Sequence, residues 1–240
     1  MGVIHLCFGI LGGILQLQLT WKTILFIFLL ITFRRITKNK STEQFSAVPY
    51  IIGLMNGLLY TWYGLPMISQ DNTLLCTING ITAIVQGAYV LLFLFYAPKD
   101  ATRRTLWFVF GVVILTATVV LVSMFGIQNH KTKTIFCGIA GATSSVLMYG
   151  SPLSIMKVVI KTKSVEFMPF FLSFFGFLSG TCWFTYGLLG HDLFVAIPGG
   201  LGSALGLSQL ILYFIYRKRK AAIVTDTTIT STLVVTSTVV

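Results

Sequence analysis

The stretch Lys161-Thr-Lys-Ser-Val-Glu-Phe-Met-Pro169-Phe170 decides the fold, because the chain uses it once before, as Lys38-Asn-Lys-Ser-Thr-Glu-Gln-Phe-Ser-Ala-Val-Pro49-Tyr50. The neighbours of the two copies also correspond. Trp62-Tyr63-Gly64-Leu65 returns as Thr185-Tyr186-Gly187-Leu188, Asn79-Gly80 as Gly199-Gly200, and Ala88-Tyr-Val-Leu-Leu92 as Ile211-Leu-Tyr-Phe-Ile215. The displacement is 120 to 123 residues, half of a 240-residue chain, which is the mark of an internal duplication. Chance likeness between apolar segments does not account for the matched polar loop Lys-x-Lys-Ser-x-Glu.

Around these loops the chain is 55% hydrophobic and 10% charged, with a mean hydropathy of +0.88. Soluble domains carry about 25% charged residues, so a water-facing globule is excluded. Disorder is excluded as well, since disordered chains lack aromatic and aliphatic side chains and this one has 20 Phe. A helix needs about 20 apolar residues to cross the hydrocarbon core. Runs at 45–66, 73–96, 105–127, 134–156, 167–189 and 193–216 meet that requirement, and 3–33 is a seventh candidate interrupted by Gln16, Gln18 and Lys22. A cleaved signal peptide is a poor reading of that first stretch, because Met1–Ile4 carries no positive charge.

The net charge of +11 would suggest nucleic acid in a soluble protein, but its distribution points to a bilayer and to no nucleic acid. Arg34, Arg35, Lys38 and Lys40, then Lys99, Arg103 and Arg104, then Lys157, Lys161 and Lys163, then Arg217 to Lys220 fall in alternate connections. The connections between them hold only Lys131 and Lys133. The basic set is therefore expected in the cytosol, with the N-terminus outside and the C-terminus inside. The expected architecture is all-α, seven transmembrane helices in a 3+1+3 order. A first three-helix repeat (3–104), a linker helix (105–127), a second repeat (134–216) and a cytosolic tail (217–240) make it up. Four crossings separate each helix from its copy, so the two bundles are parallel, and such pairs of bundles suit a transporter. The Thr/Val-rich tail is expected to be disordered or loosely attached.

Enzyme chemistry finds no foothold. Cys7, Cys76, Cys137 and Cys182 lie in apolar runs without a CxxC pair, and His5, His130 and His191 sit in loops or at ends. No paired carboxylates, HExxH or nucleophile–base set appears, so no metal or other cofactor is called for. Glu43, Asp71, Asp100, Glu166, Asp192 and Asp226 fall at loops or ends rather than well inside a span. A proton-coupled carrier needs a buried ionisable group, so the pattern argues for uncoupled transport. The sequon Asn39-Lys40-Ser41 lies in an expected cytosolic loop and should stay unmodified.

Tyr149-Gly-Ser-Pro152-Leu-Ser-Ile-Met156, Thr162-Lys-Ser-Val-Glu-Phe-Met-Pro169-Phe170 and Trp183-Phe-Thr-Tyr186-Gly-Leu-Leu189 resemble the second repeat of plant SWEET sugar transporters. The first repeat resembles theirs through Lys40-Ser-Thr-Glu-Gln-Phe-Ser46, Pro49-Tyr50, Trp62-Tyr-Gly-Leu-Pro66, Thr77-Ile-Asn79-Gly80 and Tyr96-Ala-Pro98. The likeness runs from about Thr32 to Arg217. It implies facilitated, bidirectional movement of a small neutral sugar, with homo- or hetero-oligomers in the plasma membrane or the vacuolar membrane.

The resemblance also implies roles for particular residues. Asn79 and Trp183 fall on pocket positions, where an amide offers donors and acceptors to hydroxyls and an aromatic face meets the C–H side of a pyranose. Pro49, Pro152 and Pro169 fall on hinge positions, where a missing N–H bends a helix. Tyr63, Tyr186 and Asp192 fall on an extracellular gate. Four departures stand beside these matches. Gly199 replaces the pocket asparagine of the second repeat, which would leave room but no polar partner. Tyr60 stands where relatives place a small residue or a tryptophan, which would narrow the site or shift preference toward smaller sugars. Gly13 replaces an asparagine, and Leu15–Ile31 runs about six residues long, enough to advance a helix by about 9 Å and 240°. The departures leave one alternative: a transport-deficient member acting through hetero-oligomers.

Overall fold

The computed structural model describes Arg34 and residues 46–70, 72–166 and 168–237, with side-chain surroundings through Arg217. The expected first span, the 34–44 loop beyond Arg34, and the departures at Gly13 and Leu15–Ile31 lie outside the described residues. All the described elements are helical.

Helix α1 (Val48–Tyr63) begins with Pro49 in its first turn, where the missing N–H would have no helical partner anyway. Its 16 residues span about 24 Å at 1.5 Å per residue. Helix α2 (Thr73–Tyr96) stops where Pro98 holds Ala97 extended, with ψ 148°. Helix α3 (Lys99–Leu121) runs into a π-helical turn at Val122–Gly126. Helix α4 (His130–Met148) starts from Asn129, whose side chain accepts from the Thr132 N–H at 3.2 Å. Helix α5 (Gly150–Thr162) continues the same apolar stretch after a break at Tyr149. Pro152 explains the break, since it has no N–H for the Met148 carbonyl and its ring crowds that oxygen. Helix α6 (Phe170–Leu189) is capped by Pro169, and helix α7 (Leu193–Ser237) carries Pro198 inside it.

Two of these elements differ from expectation. The 134–156 run is two helices meeting at Tyr149. The tail expected to be loose is the end of α7, which continues to Ser237; no proline or glycine between Arg217 and Ser237 interrupts it.

Among the described residues five stretches are long and apolar enough to cross a membrane: Thr73–Tyr96, Lys99–Gly126, His130–Thr162, Phe170–Leu189 and Leu193–Arg217. Their outward faces are apolar, with Ile84, Phe95, Trp107, Phe125 and Phe171 all exposed. Such a surface needs lipid rather than water around it. Inside, α1 packs on α2 and α6 packs on α7, while α4 lies against both α1 and α7. Met55, Leu59, Tyr60, Tyr63, Leu75, Cys182, Tyr186 and Val195 form the core where these pairs meet.

Small residues set the helix spacing, as in membrane bundles generally. Gly57 and Gly180, 123 residues apart, each bring a backbone close: Ala83 N lies 3.0 Å from the position a Gly57 Cβ would take, and Ser203 N is nearer still at Gly180. The duplication therefore reaches the helix crossings themselves.

Candidate functional site

A cavity of about 350 Å³ lies between the two helix pairs. From the first half it is lined by Gly53, Asn56 and Tyr60 on α1 and by Leu75, Asn79, Thr82 and Gln86 on α2. From the second half it is lined by Gly176, Ser179 and Trp183 on α6 and by Val195, Gly199, Gly202 and Gly206 on α7. The two sets correspond position for position, displaced by 123 residues for the first helix of each pair and by 120 for the second. Asn79, Trp183, Tyr60 and Gly199, all singled out from the sequence, are thus brought together on one cavity wall each. Asn56, Thr82 and Gln86 were missed, although the same displacement applied to the α6 and α7 positions reaches them.

Two of the polar lining residues are held by side-chain hydrogen bonds. Asn79 is buried, and its amide donates to the Leu75 carbonyl one turn back at 2.9 Å. Asn56 donates to Ser144 at 2.9 Å and Ser145 at 2.8 Å, which ties α1 to α4 across the halves. Trp183 packs edge-on against Tyr186, with ring centroids 5.8 Å apart.

Tyr60 does more than narrow the cavity. Its hydroxyl donates to the Phe194 carbonyl at 2.8 Å. Phe194 lies four residues before Pro198, so that carbonyl is the one the proline leaves without a helical donor. The Pro198 carbonyl in turn accepts from the Tyr149 hydroxyl. The break after α4 and the proline of α7 are thereby pinned to each other and to α1.

Gly199 corrects the sequence reading. A Cβ there would come 2.5 Å from the Phe184 backbone nitrogen and 2.8 Å from the Trp183 carbonyl carbon. The glycine does not leave room; it lets α7 press against the backbone of α6, and that contact occupies the space an amide would need.

At the Tyr63 end of the cavity the expected gate residues meet. Tyr63 donates to Asp192 Oδ2 at 2.8 Å, and the Asn72 amide donates to the same oxygen at 2.9 Å. The Tyr186 hydroxyl donates to Asn72 Oδ1 at 3.1 Å. Asp192 is held in place by the tight turn after α6, where His191 takes a left-handed φ of 52°. Asp192 donates its N–H to Gly187 at 2.7 Å, and its Oδ1 accepts from the Phe194 N–H at 3.0 Å. Asn72 was not among the sequence candidates, yet it stands 120 residues before Asp192, just as Tyr63 stands 123 before Tyr186. The four side chains form a symmetric pair of tyrosines joined by one amide and one carboxylate.

The expected hinge prolines occupy unlike places. Pro49 and Pro169 start helices α1 and α6, whereas Pro152 lines the cavity at the α4–α5 break. Pro198, inside α7, also lines it. Among the described residues no group of His, Cys, Asp and Glu is placed to hold a metal ion.

A family profile described as a sugar efflux transporter for intercellular exchange, MtN3/saliva, matches residues 15–101 and again 135–221. The chain belongs to the SWEET family. The bidirectional sugar transporter SWEET1 of Arabidopsis thaliana is 56% identical over 218 residues, 90% of this chain and 85% of that protein. SWEET1a of Sorghum bicolor is 51% identical, covering 89% of this chain and 77% of that one. A solved structure of a eukaryotic SWEET transporter superposes with a TM-score of 0.80 at 39% identity, covering 86% of this chain and 96% of that one. In this SWEET chain all the cavity-lining residues named above fall within the two matched segments.

Proposed function

We propose that the chain carries small neutral sugars, hexoses in particular, in both directions down their gradient by alternating access. The observation that supports this reading is the cavity itself, lined by amide, hydroxyl and aromatic side chains between the two helix pairs, beside the bonded Tyr63–Asn72–Tyr186–Asp192 set, which acts as a latch. Tyr60 occupies space that a small residue would leave to a larger sugar, which favours hexoses.

In this reading seven helices form the 3+1+3 arrangement, with parallel repeats at 3–104 and 134–216, a linker helix at 105–127 and a cytosolic tail from 217. The basic loops face the cytosol, so the latch lies on the outer side and the described state is closed to the outside. Pro152 and Pro198 act as bending points beside the cavity, with Pro49 and Pro169 at helix mouths. The protein works as homo- or hetero-oligomers in the plasma membrane or the vacuolar membrane.

The test is uptake and efflux of labelled glucose in cells lacking their own hexose carriers. Saturable flux in both directions, unaffected by a protonophore, is expected. No flux, with the protein present at the membrane, would overturn this reading in favour of a transport-deficient partner of active relatives, for which Gly199 in place of an asparagine is the motivating observation.

A further inference from the structure

Resting on the sugar-transport reading, we propose that Gln86 is a specificity-determining residue. In that role it accepts a hydrogen bond from one hydroxyl of the bound sugar and fixes a single orientation in the cavity.

The two halves line the cavity at matching positions, but their chemistry does not match. On α2, Asn79, Thr82 and Gln86 recur at helical spacing and share one face. Their counterparts on α7, 120 residues on, are Gly199, Gly202 and Gly206. Every one of the three polar groups faces a glycine across the pseudo-two-fold axis. A polyhydroxylated ring placed here finds Asn79, Thr82 and Gln86 on the α2 side, whereas at the matching places the α7 side offers three glycines, with Gln209 one turn further on. Its hydroxyl edge therefore turns toward α2, with the C–H surface left for the glycines and Trp183.

Along the α2 face the side chains differ in what they still have to offer. The Thr82 hydroxyl donates to Ile78 at 2.8 Å, and the Asn79 amide donates to Leu75. Gln86 Oε1 is buried with no hydrogen-bond partner among the described residues. A buried acceptor left unpaired is costly, and a turn of the amide toward the cavity would let a sugar hydroxyl supply the donor it lacks. Room for the side chain comes from Gly53. The Gln86 amide nitrogen lies 3.1 Å from where a Gly53 Cβ would be, and Cδ lies at 3.2 Å. At the matching place in the second half, a Cβ at Gly176 would meet nothing within 4 Å among the described residues, and Gly206 supplies no side chain there. Asn79, Thr82 and Gln86 all lack polar mates, and of the three it is Gln86 whose acceptor is left without a donor.

The experiment measures how unlabelled monodeoxy-glucoses compete with labelled glucose uptake in cells lacking their own hexose carriers. Wild type, Gln86→Leu and Gln86→Glu are compared at matched surface levels. For wild type, one deoxy position should compete about five-fold less well than glucose, the effect of losing one ordinary hydrogen bond. In Gln86→Leu that ratio should fall to about one while the other positions keep theirs. Gln86→Glu keeps the acceptor oxygen and should keep the ratio. An unchanged pattern in Gln86→Leu would overturn the assignment, with wild-type flux intact and the transport reading unharmed. If Gln86→Leu fails to reach the membrane, Gln86→Met serves in its place under the same criterion. A wild-type chain that carries no glucose would overturn both the assignment and the reading beneath it.

Discussion

Tyr63 and Asp192, 129 residues apart in sequence, share a 2.8 Å hydrogen bond in which the phenol donates to a carboxylate oxygen. That same oxygen also takes the Asn72 amide at 2.9 Å. The bond joins the end of α1 to the turn just before α7, so it ties the two halves of the chain together. Hydrogen bonds to charged groups are worth about 1.5–3 kcal/mol, enough for this contact to matter to how the two halves sit together.

The latch can be taken apart by a double-mutant cycle. Tyr63→Phe and Asp192→Asn should each lower the thermal unfolding midpoint of the detergent-solubilised protein. The double variant should lose less than the sum of the two, with a coupling of about 1–3 kcal/mol. Strict additivity would mean that the two groups do not act together.

Tyr60→Phe keeps the ring in the cavity but strips the donor from the Phe194 carbonyl, which Pro198 already leaves without a helical partner. The orphaned oxygen should cost about 1–3 kcal/mol, read as a lower unfolding midpoint. KM for glucose should change little, because the shape of the wall is retained. A large rise in KM with stability intact would reassign the hydroxyl to the substrate.

Gly199→Asn restores the second amide in sequence but not in space. Its Cβ would meet the Phe184 backbone at 2.5 Å, and overpacking of this kind costs about 1–3 kcal/mol. Reduced surface level and a lower unfolding midpoint are expected, with no gain in glucose affinity. Tighter glucose binding at unchanged stability would show that α7 yields to the new side chain.

Trp183→Ala should raise KM for glucose about five-fold, through loss of the aromatic surface. Trp183→Phe should recover most of it, since a ring persists at the same place. Equal losses in both variants would point to the indole N–H instead.

Much of this was legible before any coordinates, because a duplicated chain states each position twice. The displacement that matched Tyr63 with Tyr186 also leads from Asp192 to Asn72, so the fourth latch residue was present in the sequence as the mate of the third. Gln86 is harder to read: its mate, Gly206, carries no side chain to draw attention to it. Gly199 was misread because a missing Cβ looks like space, whereas the backbone of α6 at Trp183 and Phe184 has moved into it. Nor could the sequence say that Tyr60 bonds Phe194. Pro198 announces that a carbonyl four residues earlier lacks a donor, but which side chain reaches it depends on how α1 and α7 cross. The break at Tyr149 belongs to the same class, foreseeable from Pro152 but not its tie to Pro198.

The central claim, one cavity exposed alternately to the two sides, is tested most directly by counterflow. The purified chain is placed in liposomes preloaded with unlabelled glucose, and labelled glucose is added outside without any pH gradient. A transient accumulation of label above its equilibrium level is the predicted result. Uptake no greater than in protein-free liposomes would contradict the account.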